Sequence, residues 1–153
     1  MFDKTPATNW AVAWHQDRTI AVKDRREVDG YGPWSRKAGA AHVAPPVSVL
    51  EGMVTLRAHL DDCGEDNAPL HVALGSHRLG LVPADQAGQQ ARARETMTCL
   101  ASVGDVWTYR TLFLHASDKA ARPVRRRVLQ VDFAAFDLPS GLLWSGVSSR
   151  MSP

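Results

Sequence analysis

The sequence predicts an all-β domain, a sandwich or barrel of the jelly-roll kind with few short helices. Three observations carry this prediction. The chain has 153 residues, 44% hydrophobic and 22% charged, which is the size and composition of one ordinary globular domain. Its apolar residues recur in short runs, one of which alternates strictly, a period typical of strands. Turn signals rich in Gly, Asp and Asn separate the runs, as in all-β folds.

Five runs predict strands in chain order. Residues 10–14 are short and aromatic-rich, residues 54–60 alternate apolar and polar positions, and residues 70–74 end at a Gly-Ser-His turn. Residues 106–115 and 124–136 are longer and partly β-branched or aromatic. The apolar members of the alternating run share one face: Val54, Leu56, Ala58 and Leu60.

Two segments depart from this pattern. Residues 83–95 are the best helix candidate, although Gly88 weakens it. Residues 23–46 form a connection longer than the roughly 12–15 residues beyond which loops are usually lids, binding loops or disordered. Because this connection contains Tyr31 and Trp34, we expect an ordered loop folded over a site, with a loop covering the core as the alternative.

Composition excludes several classes of function. The formal net charge is +2, so no charge footprint for nucleic acid or anionic lipid is expected. No apolar run approaches the roughly 20 residues that cross a bilayer, and we expect a cytoplasmic protein without membrane contact. Cys63 and Cys99 form no CxxC pair, which excludes a zinc ribbon and favours two buried thiols.

One short motif indicates a metal site. His15 and Asp17 are two residues apart at the end of the first predicted strand, so both side chains point to the same face. His115, at the end of another strand, is the candidate third ligand. Two histidines and one carboxylate leave open coordination positions and suit Fe(II). The similar pair His59 and Asp61 is better explained as a strand residue followed by a turn aspartate.

A second feature indicates an anion pocket. In the triplet 125–127, strand alternation turns Arg126 to one face and Arg125 and Arg127 to the other. An arginine that points into a barrel needs an anionic partner, because a buried unpaired charge is costly. A dicarboxylate co-substrate would supply that partner through a bidentate pair.

With these residues the chain resembles the phytanoyl-CoA dioxygenase family of iron(II)/2-oxoglutarate oxygenases. The motifs that carry the resemblance are Trp14-His15-Gln16-Asp17, Leu60-Asp61-Asp62 with Asn67-Ala68-Pro69-Leu70, Gly75-Ser76-His77-Arg78-Leu79-Gly80, His115-Ala116-Ser117 and Arg126. The resemblance runs from about residue 9 to residue 144. It implies a double-stranded β-helix, the cupin-like barrel, which agrees with the predicted strands.

The resemblance also implies roles for single residues. It makes His15, Asp17 and His115 the catalytic triad that binds iron. It makes Arg126 the partner of the distal 2-oxoglutarate carboxylate, with Ser117 as a hydroxyl partner, and it places Trp34 at the co-substrate pocket. Iron halogenases that resemble this family carry a small residue at the position of Asp17, so its carboxylate implies hydroxylation rather than halogenation.

The expected function is therefore an Fe(II)- and 2-oxoglutarate-dependent dioxygenase that hydroxylates a small organic substrate. Two alternatives stay open: a degenerate, non-catalytic barrel that serves as a binding module, and a cupin-type metalloenzyme that does not use 2-oxoglutarate. We expect residues 1–153 to form one barrel domain that is short at its N-terminus relative to the family, with only 14 residues before His15. An unpaired sheet edge would then favour a homo-oligomer.

Overall fold

The computed structural model describes residues 1–146 and places them mainly in strands. The strands are β1 (Phe2–Lys4), β2 (Val12–His15), β3 (Ile20–Val22), β4 (Trp34–Lys37), β5 (Ala40–Val43), β6 (Met53–His59), β7 (Leu70–Ala73), β8 (Thr96–Cys99), β9 (Val106–Arg110), β10 (His115–Ser117) and β11 (Arg126–Ala134). The helices are short: α1 (Val47–Glu51), α2 (Ala87–Arg92) and one 3-10 turn (Ser76–Leu79).

Two four-stranded antiparallel sheets form the barrel. The first sheet has the order β1-β11-β6-β9 and the second the order β2-β10-β7-β8. One cleft is lined by side chains from both sheets, so the sheets face each other across it. This is the predicted double-stranded β-helix, and α2 lies within the predicted helical segment 83–95.

The inner face of the first sheet is unexpectedly polar. In β6 every second residue is buried, and these residues belong to the polar face of the strand rather than to the apolar one. Leu56 and Ala58 lie on the outer face, and Leu60 beyond the strand is 41% exposed. The predicted alternation is present, but the barrel turns inward the face that carries Met53 and three polar residues, Thr55, Arg57 and His59.

Residues 23–46 are not the irregular loop that their length predicts. They contain β4 and β5, which pair with β3 in a third, three-stranded antiparallel sheet of order β3-β5-β4. A two-residue turn joins the hairpin, with positive φ at Ala38 (47°) and Gly39 (83°). A tight turn with positive φ at both residues matches the twist of hairpin strands, and glycine adopts it without strain.

The third sheet closes one end of the molecule over an apolar cluster. Ile20, Val22 and Val43 of this sheet pack with Leu50 of α1 and Met53 at the start of β6. The expectation of a loop folded over the site is therefore wrong for this segment, whose apolar side chains cover core. Among the described residues that line the cleft between the two main sheets, none comes from 23–46.

Two further expectations concern membrane-spanning segments and the two cysteines. Within residues 1–146, no helix is long and apolar enough to cross a membrane. Cys63 and Cys99 are both free and buried, as predicted. Burial raises the pKa of Cys99 to about 11, so this thiol is protonated at neutral pH.

Candidate metal centre and anion pocket

Three side chains with metal-binding atoms converge at one end of the cleft. His15 ends β2, His115 begins β10, and the two residues lie directly opposite each other in the antiparallel ladder. Asp17 follows two residues after His15. One ligand atom from each of the three lies within 4.8 Å of the others. The structure thus brings together the three residues that the sequence predicts as iron ligands.

The backbone orients both imidazoles. His15 Nδ1 lies 2.8 Å from the Ala13 carbonyl oxygen, and His115 Nδ1 lies 2.9 Å from the Phe113 carbonyl oxygen. A carbonyl only accepts, so each Nδ1 is the donor, and in the neutral imidazole Nε2 then has the free lone pair that a metal needs. The Nε2 atoms lie 3.9 Å (His15) and 3.8 Å (His115) from the Asp17 carboxylate oxygens. Such backbone contacts are the usual support of metal-binding histidines.

Burial favours the metal-binding form of His115. Desolvation lowers the pKa of His115, an effect that the Asp17 carboxylate opposes and the neighbouring His15 reinforces. The neutral imidazole is the form that binds a metal. His115 is 4% exposed, whereas the side chains of His15 and Asp17 are 40% and 30% exposed. The centre therefore has one buried wall and one side open to an entering ligand.

Gln16, between the two ligands of the motif, anchors the segment to the barrel. Its side-chain amide donates to the carbonyls of Gly80 (2.9 Å) and Leu112 (2.8 Å) and accepts from the Val82 N–H (2.9 Å). Gln16 is 4% exposed. A side-chain amide has four hydrogen-bonding positions, and three of them are occupied here. These hydrogen bonds fix the backbone from which His15 and Asp17 project.

The same cleft also contains Arg126, Lys4 and Ser117, which together form the candidate anion pocket. Arg126 is 3% exposed, its Nε has no hydrogen-bond partner, and no carboxylate pairs with it among residues 1–146. Lys4 lies directly opposite Arg126 in the β1–β11 ladder, and its Nζ donates to Ser117 Oγ at 3.4 Å. The predicted pair Arg126 and Ser117 therefore lines one cleft with the triad.

The neighbouring arginines face the other way, as alternation predicts. Arg125 binds Asp3 with N–O distances of 2.9 and 3.2 Å. Arg127 binds both carboxylate oxygens of Asp61 at 2.8 and 2.9 Å. Asp61, whose pKa this arginine lowers to about 2, is thus held in an ion pair on the outer side of the sheet. Of the three arginines, only Arg126 faces the cleft, and it has no carboxylate partner among residues 1–146.

Three polar cleft residues were not among the predicted site residues: Lys4, Arg57 and Gln130. Arg57 is buried, and its Nη1 donates to Gln130 Oε1 at 2.8 Å. Gln130 Nε2 in turn donates to Asp17 Oδ2 at 3.0 Å. The signal that would have found Arg57 and Gln130 is the strict alternation of β6 and β11. Each lies on the same strand face as another inward polar residue.

Trp34 is the predicted site residue that the structure does not bring to this cleft. It lies in β4, packed against the apolar cluster under the third sheet, with the Arg25 guanidinium 5.6 Å from its ring centre. It lines a different and larger cleft of about 360 Å³. The cleft with the triad encloses about 60 Å³, so cavity size does not mark the cleft that carries the metal-binding residues.

A double-stranded β-helix whose interior presents two histidines and one carboxylate defines a class of mononuclear metal enzymes with open coordination positions. Comparison with known proteins gives the family. The family model described as phytanoyl-CoA dioxygenase (PhyH) matches residues 1–128, and the chain belongs to that family of iron- and 2-oxoglutarate-dependent oxygenases. The recognition made from the motifs is therefore confirmed. No curated protein matches the chain.

Solved structures agree on the fold. AviO1 from Streptomyces viridochromogenes Tue57 is 25% identical, with a TM-score of 0.56 over 87% of this chain and 47% of its own. EvdMO1 is 21% identical, with a TM-score of 0.59 over 87% of this chain and 25% of its own. The non-heme α-ketoglutarate-dependent carbocyclase SnoK from nogalamycin biosynthesis is 13% identical, with a TM-score of 0.57 over 86% and 46%. The chain spans less than half of each of these proteins.

Proposed function

We propose that the protein is an Fe(II)- and 2-oxoglutarate-dependent oxygenase that hydroxylates a small organic substrate. One observation carries the proposal: the buried cleft places a His-Asp-His ligand set and an unpaired inward arginine on facing sheets. Either feature alone has simpler explanations. Together they match a metal bound at one end of a dicarboxylate whose other end pairs with an arginine.

The charges of the cleft support a dianionic co-substrate. Three cations line it, Lys4, Arg57 and Arg126, against the single carboxylate of Asp17. A divalent metal adds two further positive charges. Buried charge of one sign is costly unless an anion compensates it, and a 2-oxoglutarate dianion would compensate two of these charges.

Different residues have different roles in the proposed reaction. Iron(II) with 2-oxoglutarate supplies the oxygen-activating chemistry when both are bound. His15, Asp17 and His115 would hold the metal. Arg126 would pair with the far carboxylate, with Ser117 donating its hydroxyl and Lys4 its ammonium, so that the keto acid end is fixed toward the metal.

The proposal excludes halogenation on the basis of Asp17. Its carboxylate supplies a ligand atom and a negative charge at the position that a halide would need. Hydroxylation, a carbocyclisation like that named for SnoK, or another oxidation of a C–H bond are all compatible with this ligand set. Of these we propose hydroxylation, because it needs no second reacting group from the substrate.

Turnover of the co-substrate tests the proposal. With Fe(II), 2-oxoglutarate and oxygen, we expect slow formation of succinate even without a primary substrate. His15→Ala should abolish it together with most metal binding, because removal of a ligand leaves two donors. His59→Ala is the matched control, since His59 lies in the same barrel outside the ligand set. Retention of iron by His15→Ala, or its loss from His59→Ala, would refute the ligand assignment.

The same assay separates the alternatives. A binding module would hold metal and 2-oxoglutarate without forming succinate. A cupin-type metalloenzyme of another class would hold metal but gain nothing from 2-oxoglutarate, and Arg126→Ala would leave its metal-dependent reaction unchanged. The unpaired state of Arg126 favours the oxygenase over this second alternative.

A further inference from the structure

A chain of two hydrogen bonds ends on the predicted carboxylate ligand. Gln130 Nε2 donates to Asp17 Oδ2 at 3.0 Å, and Arg57 Nη1 donates to Gln130 Oε1 at 2.8 Å. Gln130 and Arg57 lie directly opposite each other in the β11–β6 ladder. The ladder therefore keeps the two side chains adjacent on the inner face of the first sheet, next to the metal centre.

The order of donors along this chain has only one solution. A guanidinium donates and never accepts, so the amide oxygen of Gln130 must face Arg57 and the amide nitrogen must face Asp17. Arg57 is 6% exposed, with the Phe2 ring centre 5.1 Å from its guanidinium carbon. A buried cation held in this way prevents the amide from turning over.

The intervening amide also protects the charge of the ligand. A guanidinium placed directly on Asp17 would bind both carboxylate oxygens and compete with a metal for them. A neutral N–H occupies one lone pair of Oδ2 and leaves Oδ1 and the full negative charge available. Through the Gln130 amide, Arg57 thus fixes the orientation of the Asp17 carboxylate without forming an ion pair that would neutralise its charge.

We propose that Gln130 and Arg57 are positioning residues that fix Asp17 as a metal ligand with one oxygen hydrogen-bonded and the other free. The inference rests on the proposed function, because it assigns these residues to the metal site of that function. It goes beyond the predicted site, in which neither residue has a role. A purely structural role, holding β11 to β6, is the competing explanation.

The test is metal binding by the full chain, with Co(II) as the probe and its visible spectrum as a readout independent of activity. Gln130→Glu keeps the size of the side chain and its contact with Arg57, but it cannot donate to Asp17 and adds a like charge. We expect Co(II) affinity to fall at least tenfold, the range seen when support of metal ligands is removed. The spectrum should change because the carboxylate is free to rotate.

Matched variants separate positioning from structure. Gln89→Glu makes the same substitution at an exposed position of α2 and should leave the Co(II) affinity unchanged. Arg57→Lys keeps a donor and should retain most of the affinity, whereas Arg57→Met should lose it. In each case the melting temperature of the metal-free protein is measured. The positioning role predicts weaker metal binding with that melting temperature preserved, and Arg57→Met with Arg57→Lys decides the question if Gln130→Glu does not fold.

Three results would overturn the inference. The first is a Gln130→Glu variant that binds Co(II) as tightly as the unmodified chain does. The second is an Arg57→Lys variant that loses as much Co(II) affinity as Gln130→Glu does. The third is that every variant with weaker Co(II) binding also has a lower melting temperature without metal. Failure of the proposed function is distinguishable from all three. It would appear either as a chain that binds Co(II) but forms no succinate with Fe(II) and 2-oxoglutarate, or as an unmodified chain that binds Co(II) no better than Asp17→Ala.

Discussion

Arg126 is the residue whose role the surrounding charges constrain most tightly. Its two neighbours in sequence are satisfied by Asp3 and Asp61 on the outer side of the sheet, while Arg126 itself lacks an acidic partner among residues 1–146. Charge-assisted hydrogen bonds contribute roughly 1.5–3 kcal/mol each. Arg126→Ala should therefore weaken 2-oxoglutarate binding by more than tenfold in an anaerobic titration of the metal-loaded protein.

The control for this prediction is built into the triplet. Arg125→Ala removes the same side chain one position earlier, where it binds Asp3, and should change 2-oxoglutarate affinity less than twofold. If Arg125→Ala weakened binding as much as Arg126→Ala, the co-substrate would lie on the other face of β11.

Lys4 makes the anion pocket sensitive to pH. Burial, followed by repulsion from Arg126 and Arg57, lowers the pKa of Lys4 to about 8, and the nearby Cys63 and Asp118 oppose this only in part. Below pH 8 the ammonium is present to bind an anion, and above pH 8 it is lost. A bound dianion favours the charged form, so 2-oxoglutarate affinity should fall as the pH rises through and beyond about 8.

Lys4→Met tests this dependence, because methionine keeps the apolar stem without the charge. The variant should bind 2-oxoglutarate more weakly at pH 7, and its affinity should change less between pH 7 and pH 9.5. An unchanged pH profile in Lys4→Met would show that another group titrates.

Alternation explains why some of these residues could be predicted and others could not. In a strand, the position of a residue in the sequence determines directly which face its side chain occupies. That is enough to place His15 and Asp17 on one face and to separate Arg126 from its two neighbours. Lys4 joins the pocket because β1 pairs with β11, a contact separated by more than 100 residues. No local pattern encodes that pairing.

At the scale of elements, Gln16 shows how the barrel holds its own metal-binding segment. Its amide satisfies two buried carbonyls and one buried N–H that lie between 64 and 96 residues away. Gln16→Leu would leave these three groups unpaired, each at roughly 1–3 kcal/mol, so we expect a loss of at least about 3 kcal/mol of stability. For a domain of this size the melting temperature should fall by at least about 6 °C.

Calorimetry of the metal-free protein measures this effect. Gln89→Leu, on the exposed side of α2, is the control and should melt with the unmodified chain. A Gln16→Leu variant with an unchanged melting temperature would mean that water or a backbone shift replaces the lost hydrogen bonds.

The third sheet contains strands that the sequence pattern does not predict. Its strands β4 and β5 carry serine, arginine, lysine and histidine beside small residues, so neither run has the apolar alternation that predicts a strand. The Ala38-Gly39 turn was the available signal, but alanine rarely occupies positive φ and concealed it. By contrast, β6 was predictable from its strict alternation, and β11 from its length and its β-branched and aromatic residues.

For the whole molecule, the outer face of the first sheet presents a row of exposed apolar side chains. Leu129, Val131 and Phe133 of β11 and Val106 of β9 are each 39–52% exposed. Contiguous apolar patches on soluble domains promote association. We expect the chain to self-associate with increasing concentration in sedimentation experiments, through this face.

Polar substitution of the outer face tests that expectation. Val131→Thr combined with Phe133→Thr places β-branched threonines, which favour strands, at both positions and should shift the protein toward the monomer without changing metal affinity. A chain that is monomeric at all concentrations would contradict the prediction.

The central claim is that one cleft holds both a metal and a 2-oxoglutarate dianion. Its most direct test is the visible absorption of the protein after anaerobic addition of Fe(II) and then 2-oxoglutarate. The account predicts a metal-to-ligand charge-transfer band that appears only with both additions, is absent from His15→Ala and needs far more 2-oxoglutarate in Arg126→Ala. A protein that binds Fe(II) but develops no band with saturating 2-oxoglutarate, or one whose band is equally strong in His15→Ala, would contradict it.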